Sequence, residues 1–307
     1  MDDIEIVGSH ALRRLGSEPA RDASLTRIRH GLYARTDELV AASVETRYRA
    51  RVLAAAAIRP GAIFALESAL AMHGLPFGVE PAYVFTTGDA NTPGSRAGVR
   101  NSHLPIPERH VDAVGGVRVS SIAWTLGDVA RRRLPSEAVP PLDAALRDGR
   151  VTKEQIADAL GRQSRANRKR ARWSLAFADG LSESVGESRS RVAIALLGFP
   201  APELQVEVAT AEGVLRSDFG WRLDGRRLLG EFDGMVKYGA LAAAAGRTGA
   251  QALAMEKARE DRLRRHADVV RWVWADVMRP ERLERLLRDR GLPQRDRIRP
   301  PGVRLPD

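Results

Sequence analysis

Three carboxylates lie in two short segments whose pattern could bring them together. Asp218 sits in Arg216-Ser217-Asp218-Phe219-Gly220-Trp221, and Glu231 and Asp233 sit in Gly230-Glu231-Phe232-Asp233-Gly234. Residues two apart on a strand share a face, so Glu231 and Asp233 point one way and Phe232 points the other, toward a core. If residues 215–221 form the hairpin partner of 227–233, Asp218 falls beside Glu231. Carboxylates gathered on one face repel unless a cation neutralises them. Hard oxygen ligands of this kind suit Mg2+ or Mn2+. Such an ion can orient a water and stabilise charge on a phosphodiester. On that reading Asp218 and Glu231 hold the metal, Glu187 and Asp233 support it, and Lys237 stabilises the transition state. Simpler roles stand beside these. Ser184 and Glu187 match a helix capping box, Asp233-Gly234 is also a turn signal, and Lys237 and Lys257 suit a surface. Glu256, Glu260 and Asp261 with Arg259 and Arg264 read as helix-surface ion pairs.

The elements that must position these groups follow a simple order. Ser184 precedes a helix with Val192, Ala195 and Leu196 on its apolar face. Strands are expected at 204–208, 215–221 and 227–233, then a helix over 255–266 and a last strand over 269–277. This is helix, three-stranded meander, helix, strand. Ahead of it, 4–16 reads as a short helix and 24–30 as a second, with Leu25 and Ile28 at i, i+3 spacing. An extended 31–35 follows, so the outline is that of a small winged helix. Helices are expected at 45–58, 64–73, 123–133 and 152–160, and strands at 82–87 and 117–122. Residues 88–110 read as loop, and Pro135, Pro140 and Pro141 read as breaks before a segment at 142–147. A basic run, Arg162 to Arg172, lies on a helix ending near Trp173. It suits either a phosphate-contacting face or a solvated one.

Composition bounds the setting. The chain has 307 residues, enough for two or three domains. It has no cysteine, which excludes disulfides and thiolate metal sites. No apolar run reaches the roughly 20 residues of a membrane span, and the acidic Met1-Asp2-Asp3 start does not read as a secretory signal. A cytoplasmic protein without membrane partners is expected. The net charge of +10 favours a polyanion such as DNA. Only four of the 49 basic residues are lysines, a bias that a GC-rich genome also produces.

The same residues carry a resemblance. The motif Ser184-Val185-Gly186-Glu187-Ser188 with Arg191, the two carboxylate segments, Lys237-Tyr238 and Glu256-Lys257-x-x-Glu260-Asp261 together resemble a family of actinobacterial proteins. Their C-terminal domain is similar to the PD-(D/E)xK superfamily, near the very-short-patch repair endonucleases. The resemblance implies that Glu187, Asp218 and Glu231 occupy the acidic positions. The family's lysine position holds Asp233 here, so either Lys237 or Lys257 replaces it or the site is not catalytic. Upstream, Leu25-x-x-Ile28-x-x-Gly31-Leu32-Tyr33, Ala65-Leu66-Glu67-Ser68-Ala69 with His73-Gly74-Leu75-Pro76, and Val117-Arg118-Val119-Ser120-Ser121 with Trp124-Thr125-Leu126 and Asp128 resemble the same proteins' AbiEi-type region, named for the antitoxin of type IV toxin–antitoxin systems. That implies a winged-helix start on promoter DNA and a possible cognate toxin.

The expected chain is a mixed α/β multidomain protein. A winged-helix-like segment spans 1–44, an AbiEi-like α+β middle region 45–178, a restriction-endonuclease-like α/β domain 179–290, and a disordered tail 291–307. The expected DNA-contacting residues are Arg27, Arg29, Arg168, Lys169 and Arg170. The favoured function is that of a DNA-binding, antitoxin-like transcriptional regulator. The alternative is a Mg2+-dependent endodeoxyribonuclease.

Overall fold

A computed structural model describes residues 3–88, 94–96 (backbone only), 98–102, 105–210, 213–234, 262–298 and 300–301. It is a mixed α/β chain with three sheets among these residues. Contacts divide it into two units, Met1–Phe177 and Ala178–Asp307.

The first unit opens with a small antiparallel sheet in the order β1-β3-β2, from β1 (Val7–Gly8), β2 (Leu25–Arg29) and β3 (Leu32–Arg35). The expected helix over 24–30 is therefore a strand, and the expected helix over 4–16 shrinks to α1 (Ser9–Arg14) behind β1. The helix–turn–helix order of a winged-helix start is not what these residues form. Leu25 and Ile28 satisfy a helical spacing over too short a window to decide. The decision comes from Gly31, whose φ of +74° allows the tight reversal into β3. Thr26 and Ile28 are also β-branched and suit a strand. The hairpin packs Ala34 with Ile4 and Ala50 in a small core. Helix α2 (Thr36–Ala41) leads to α3 (Val44–Ile58), whose cap is Ser43 accepting the Thr46 amide at 3.1 Å.

A six-stranded sheet follows in the order β6-β7-β5-β4-β9-β8. Its strands are β4 (Ile63–Phe64), β5 (Val84–Thr87), β6 (Gly94–Arg96), β7 (Val99–Ser102), β8 (Val111–Val114) and β9 (Val117–Ser120). The stretch 88–110, expected as loop, thus supplies two strands and a 3-10 turn at Glu108–His110. Helices α4 (Glu67–His73), α5 (Ile122–Arg132), α6 (Pro135–Arg147), α7 (Lys153–Arg162) and α8 (Arg168–Phe177) complete the unit. Pro140 and Pro141 do not break α6; they lie inside it and are buried. Each proline removes one intrahelical bond and costs about 3 kcal/mol. Burial of Val139, Leu142 and Ala145 on the same helix works against that cost. Helix α7 starts as expected, with Thr152 and Gln155 forming a capping box.

The second unit has one four-stranded sheet in the order β10-β11-β12-β13, from β10 (Glu203–Thr210), β11 (Gly213–Leu223), β12 (Arg226–Asp233) and β13 (Asp268–Val273). The meander is antiparallel and β13 joins β12 in parallel. Helix α9 (Val185–Leu196), α10 (Trp274–Val277) and α11 (Pro280–Asp289) accompany it. The last strand is shorter than expected because Trp274 begins α10, where Asp276 accepts the Val273 amide at 3.0 Å. The helix expected at 255–266 lies mostly outside the described residues; 262–264 are helical. One face of the sheet buries Phe219, Trp221, Phe232 and Trp272 with Ile194, Leu283 and Leu287 from the helices. Gly186 allows α9 to settle on that face, since a Cβ there would stand 1.9 Å from the Phe232 ring. The tail is ordered further than expected. Leu292 is buried, Gln294 donates to the Leu197 carbonyl (2.8 Å), and the Arg295 amide donates to the Gly198 carbonyl (2.8 Å).

Candidate functional site

The carboxylates Asp218, Glu231 and Asp233 of the second unit form a polar row with Arg271 on the neighbouring strands β11, β12 and β13. On β10, Gln205 falls between the pairs Leu204–Phe219 and Val206–Ser217, where the alternation is broken: Leu204 packs on one core and Val206 on the other. The β11–β12 ladder ends at the pair Phe219–Gly230, and just beyond it Asp218 stays beside Glu231 through its bond to the Phe232 amide. Glu231 in turn pairs with Arg271 on β13. Helix α9, which packs on the Phe232 face, brings Glu187 to Gln205. Its Oε2 accepts from Gln205 Nε2 (3.0 Å) and from the Glu183 amide (2.8 Å), and its Oε1 accepts from Ser184 Oγ (2.7 Å). Ser184 Oγ accepts the Glu187 amide at 3.1 Å. The capping role of this pair is therefore present, and Glu187 bonds Gln205 of β10 as well. Gln205 has φ +50°, a conformation a residue with a Cβ adopts only at a cost of about 1–3 kcal/mol.

Asp218 turns its Oδ2 to the Phe232 amide (2.8 Å). Glu231 is buried, with its Oε2 on Arg271 Nη2 at 2.6 Å. Arg271 Nη1 lies 3.5 Å from Asp233 Oδ2. Alternation thus places Glu231 and Asp233 together, as the sequence pattern implies, and a guanidinium stands between them. Arg271 was not anticipated. Its signal was there: a single cation inside the apolar run Val269-Val270-Arg271-Trp272-Val273, on the face opposite the buried Val270 and Trp272.

The row does not fit a divalent cation as it stands. Glu231 is engaged by Arg271, Glu187 by three donors, and Asp218 by a backbone amide. Among the described residues no three His, Asp or Glu side chains come close enough to hold a metal ion. Lys237, Lys257, Tyr238, Glu256, Glu260 and Asp261 lie outside the described residues.

The basic residues of the first unit separate by exposure. Arg27 is exposed and Arg29 half-buried, both on β2 rather than on a recognition helix. Burial holds the Arg29 guanidinium below its ordinary value, and the like charges of Arg59 and Arg51 push the same way. Lys169 is exposed on α8. Arg168 donates to the Gln163 carbonyl (2.7 Å) and the Gly161 carbonyl (3.1 Å). Arg170 is buried, with its Nη2 on the Arg131 carbonyl, so its head is turned into the fold.

Residues 62–177 match the family described as AbiEi antitoxin C-terminal domain. Two uncharacterized proteins of Mycobacterium tuberculosis, from strains CDC 1551 and H37Rv, are each 39% identical over 110 residues. That alignment takes in 35% of this chain and spans 41% of the relatives' length. No solved structure matches. No helix among the described residues is long and apolar enough to cross a membrane.

Proposed function

We propose that the chain is a DNA-binding, antitoxin-type regulator, and the observation that carries this reading is the AbiEi antitoxin match over residues 62–177. DNA and a cognate toxin are its partners on this reading. The phosphate-contacting face is the β2–β3 hairpin with the end of α3. Arg27 is exposed there, and the charge of Arg59 acts on the half-buried Arg29. Like charges held together repel in the free protein, and a phosphate between them relieves that repulsion. Lys169 adds a contact from α8.

The test is fluorescence anisotropy of the full chain with duplex DNA over a range of salt. Reversal of Arg27 and Arg29 to Glu should weaken binding by at least about tenfold and flatten the salt dependence. Equal affinity and slope in the variant would refute this placement of the interface.

A second reading, a metal-dependent endodeoxyribonuclease, is favoured by one observation: Asp218 bonds the backbone of β12 beside Glu231, on a strand that also carries Asp233. A bound Mg2+ would supply charge neutralisation at the phosphodiester. For this chain, the reading requires Glu231 to leave Arg271 and Lys237 or Lys257 to approach. Nicking of supercoiled DNA with Mg2+ or Mn2+, lost in Glu231→Ala, would establish it. No nicking by wild type that still binds DNA would leave the regulator alone.

A further inference from the structure

A cavity of about 640 Å3 opens in the first unit among β5, β7, α5 and α7. That is a size that suits small organic ligands, which occupy roughly 300–1,000 Å3. Its walls are of two kinds. One is cationic, with Arg100 on β7, Arg131 and Arg132 on α5, and Arg162 on α7. The other is apolar, with Leu66, Phe85, Ile106 and Trp124. The only carboxylate lining the cavity among the described residues is Asp128.

Asp128 is buried and grips two guanidinium groups one turn along its own helix. Arg131 gives it Nη2, and Arg132 gives it Nε at 3.2 Å. The two arginines then differ. Arg131 is buried and continues to Gln163 Oε1 (3.2 Å) and the Ala166 carbonyl (3.4 Å), so its donors serve the fold. Arg132 is one-third exposed, and among the described residues its two Nη groups have no partner. Asp128 therefore fixes the direction of the Arg132 fork and leaves its outer edge open to the cavity. A planar guanidinium held in this way suits the paired oxygens of a phosphate. Leu66, on the opposite wall, has φ +52°. Backbone strain at a residue with a side chain concentrates where ligands are held.

We propose that this cavity binds a nucleoside phosphate, with Arg132 on the phosphate and the base against the Leu66, Phe85 and Trp124 wall. The site lies in the AbiEi-like region but does not depend on DNA binding. Its ligand is a small molecule, and its determinants are not those assigned to the hairpin.

Isothermal titration of the full chain with ADP, adenosine and inorganic phosphate tests it. ADP should bind saturably and more tightly than either fragment. Arg132→Ala should weaken ADP by about tenfold or more, and Arg172→Ala, an exposed arginine on α8 outside the cavity, should not. Circular dichroism checks that each variant is folded; if Arg132→Ala is not, Arg132→Lys keeps the charge, removes the fork, and should also weaken ADP. No saturable ADP binding, adenosine or phosphate binding as tightly as ADP, or unchanged affinity in a folded Arg132 variant would overturn the proposal. Loss of DNA binding in the Arg27 and Arg29 variant, with ADP binding intact, would confirm that the two sites are separate.

Discussion

Replacing Arg271 with alanine removes a guanidinium that bonds the buried Glu231 carboxylate. The Glu231 side chain is only 6% exposed and Arg271 only 19%, so neither can turn to bulk water without disturbing the sheet. Their bond is 2.6 Å and charge-assisted, the kind whose loss alone costs about 1.5–3 kcal/mol. Removing one member of a buried ion pair typically costs roughly 3–5 kcal/mol. Because Arg271 is not fully buried, the lower end, about 3 kcal/mol, is the expected value. For a unit of this size that corresponds to a fall in Tm of roughly 10 °C. Urea denaturation followed by near-UV circular dichroism reads the change, since Trp221 and Trp272 lie in the core of this unit. A second substitution identifies the cause. Glu231→Gln in the Arg271→Ala background removes the buried charge and should restore about 1–2 kcal/mol, a coupling that independent sites do not show. If Arg271→Ala costs less than about 1 kcal/mol, or the two substitutions add, the pair does not neutralise the row.

Two further outcomes follow from the packing and the titratable groups. Gly186→Ala should destabilise the second unit by about 1–3 kcal/mol, because the new methyl collides with Phe232 at the α9–β12 approach; an unchanged urea midpoint would contradict that packing. Burial holds the His73 imidazole below its ordinary value of 6.5, against the Ser120 carbonyl bond (2.8 Å) that favours its protonated form. The folded state therefore prefers neutral His73. Its contribution to stability is complete above pH 6.5 and is lost as pH falls from 6.5 toward the folded value. His73→Gln should flatten that part of the stability profile between pH 7 and 5, measured by urea melts at each pH; an identical slope would assign the loss to other groups.

Long periodic segments were legible in the sequence, and short ones were not. The expected helix over 45–58 is found as α3, because its cap and alanine-rich run agree. The expected strands at 204–208, 215–221 and 227–233 are found as β10, β11 and β12. Residues 24–30 failed because one i, i+3 pair cannot outweigh a partner strand, and Val7 and Tyr33 supply that partner sheet from either side in sequence. The α6 prolines failed for the converse reason. A local rule about backbone donors was overridden by burial of the whole helix face, a tertiary term that no window of sequence contains.

The candidate site shows the same division. Strand alternation was enough to put Glu231 and Asp233 on one face, and a hairpin was enough to bring Asp218 beside them. It could not say which cation answers their charge, because that depends on the strand that pairs next. The β12–β13 pairing is parallel and joins residues 40 positions apart, Glu231 with Arg271. Repulsion among carboxylates pointed to a cation, expected as Mg2+ or Mn2+, and the structure places the Arg271 guanidinium there. An arginine satisfies the same electrostatic need as a metal at this position, but it presents hydrogen-bond donors instead of open coordination sites. The two readings of the second unit turn on whether that guanidinium stays on Glu231 when DNA is bound.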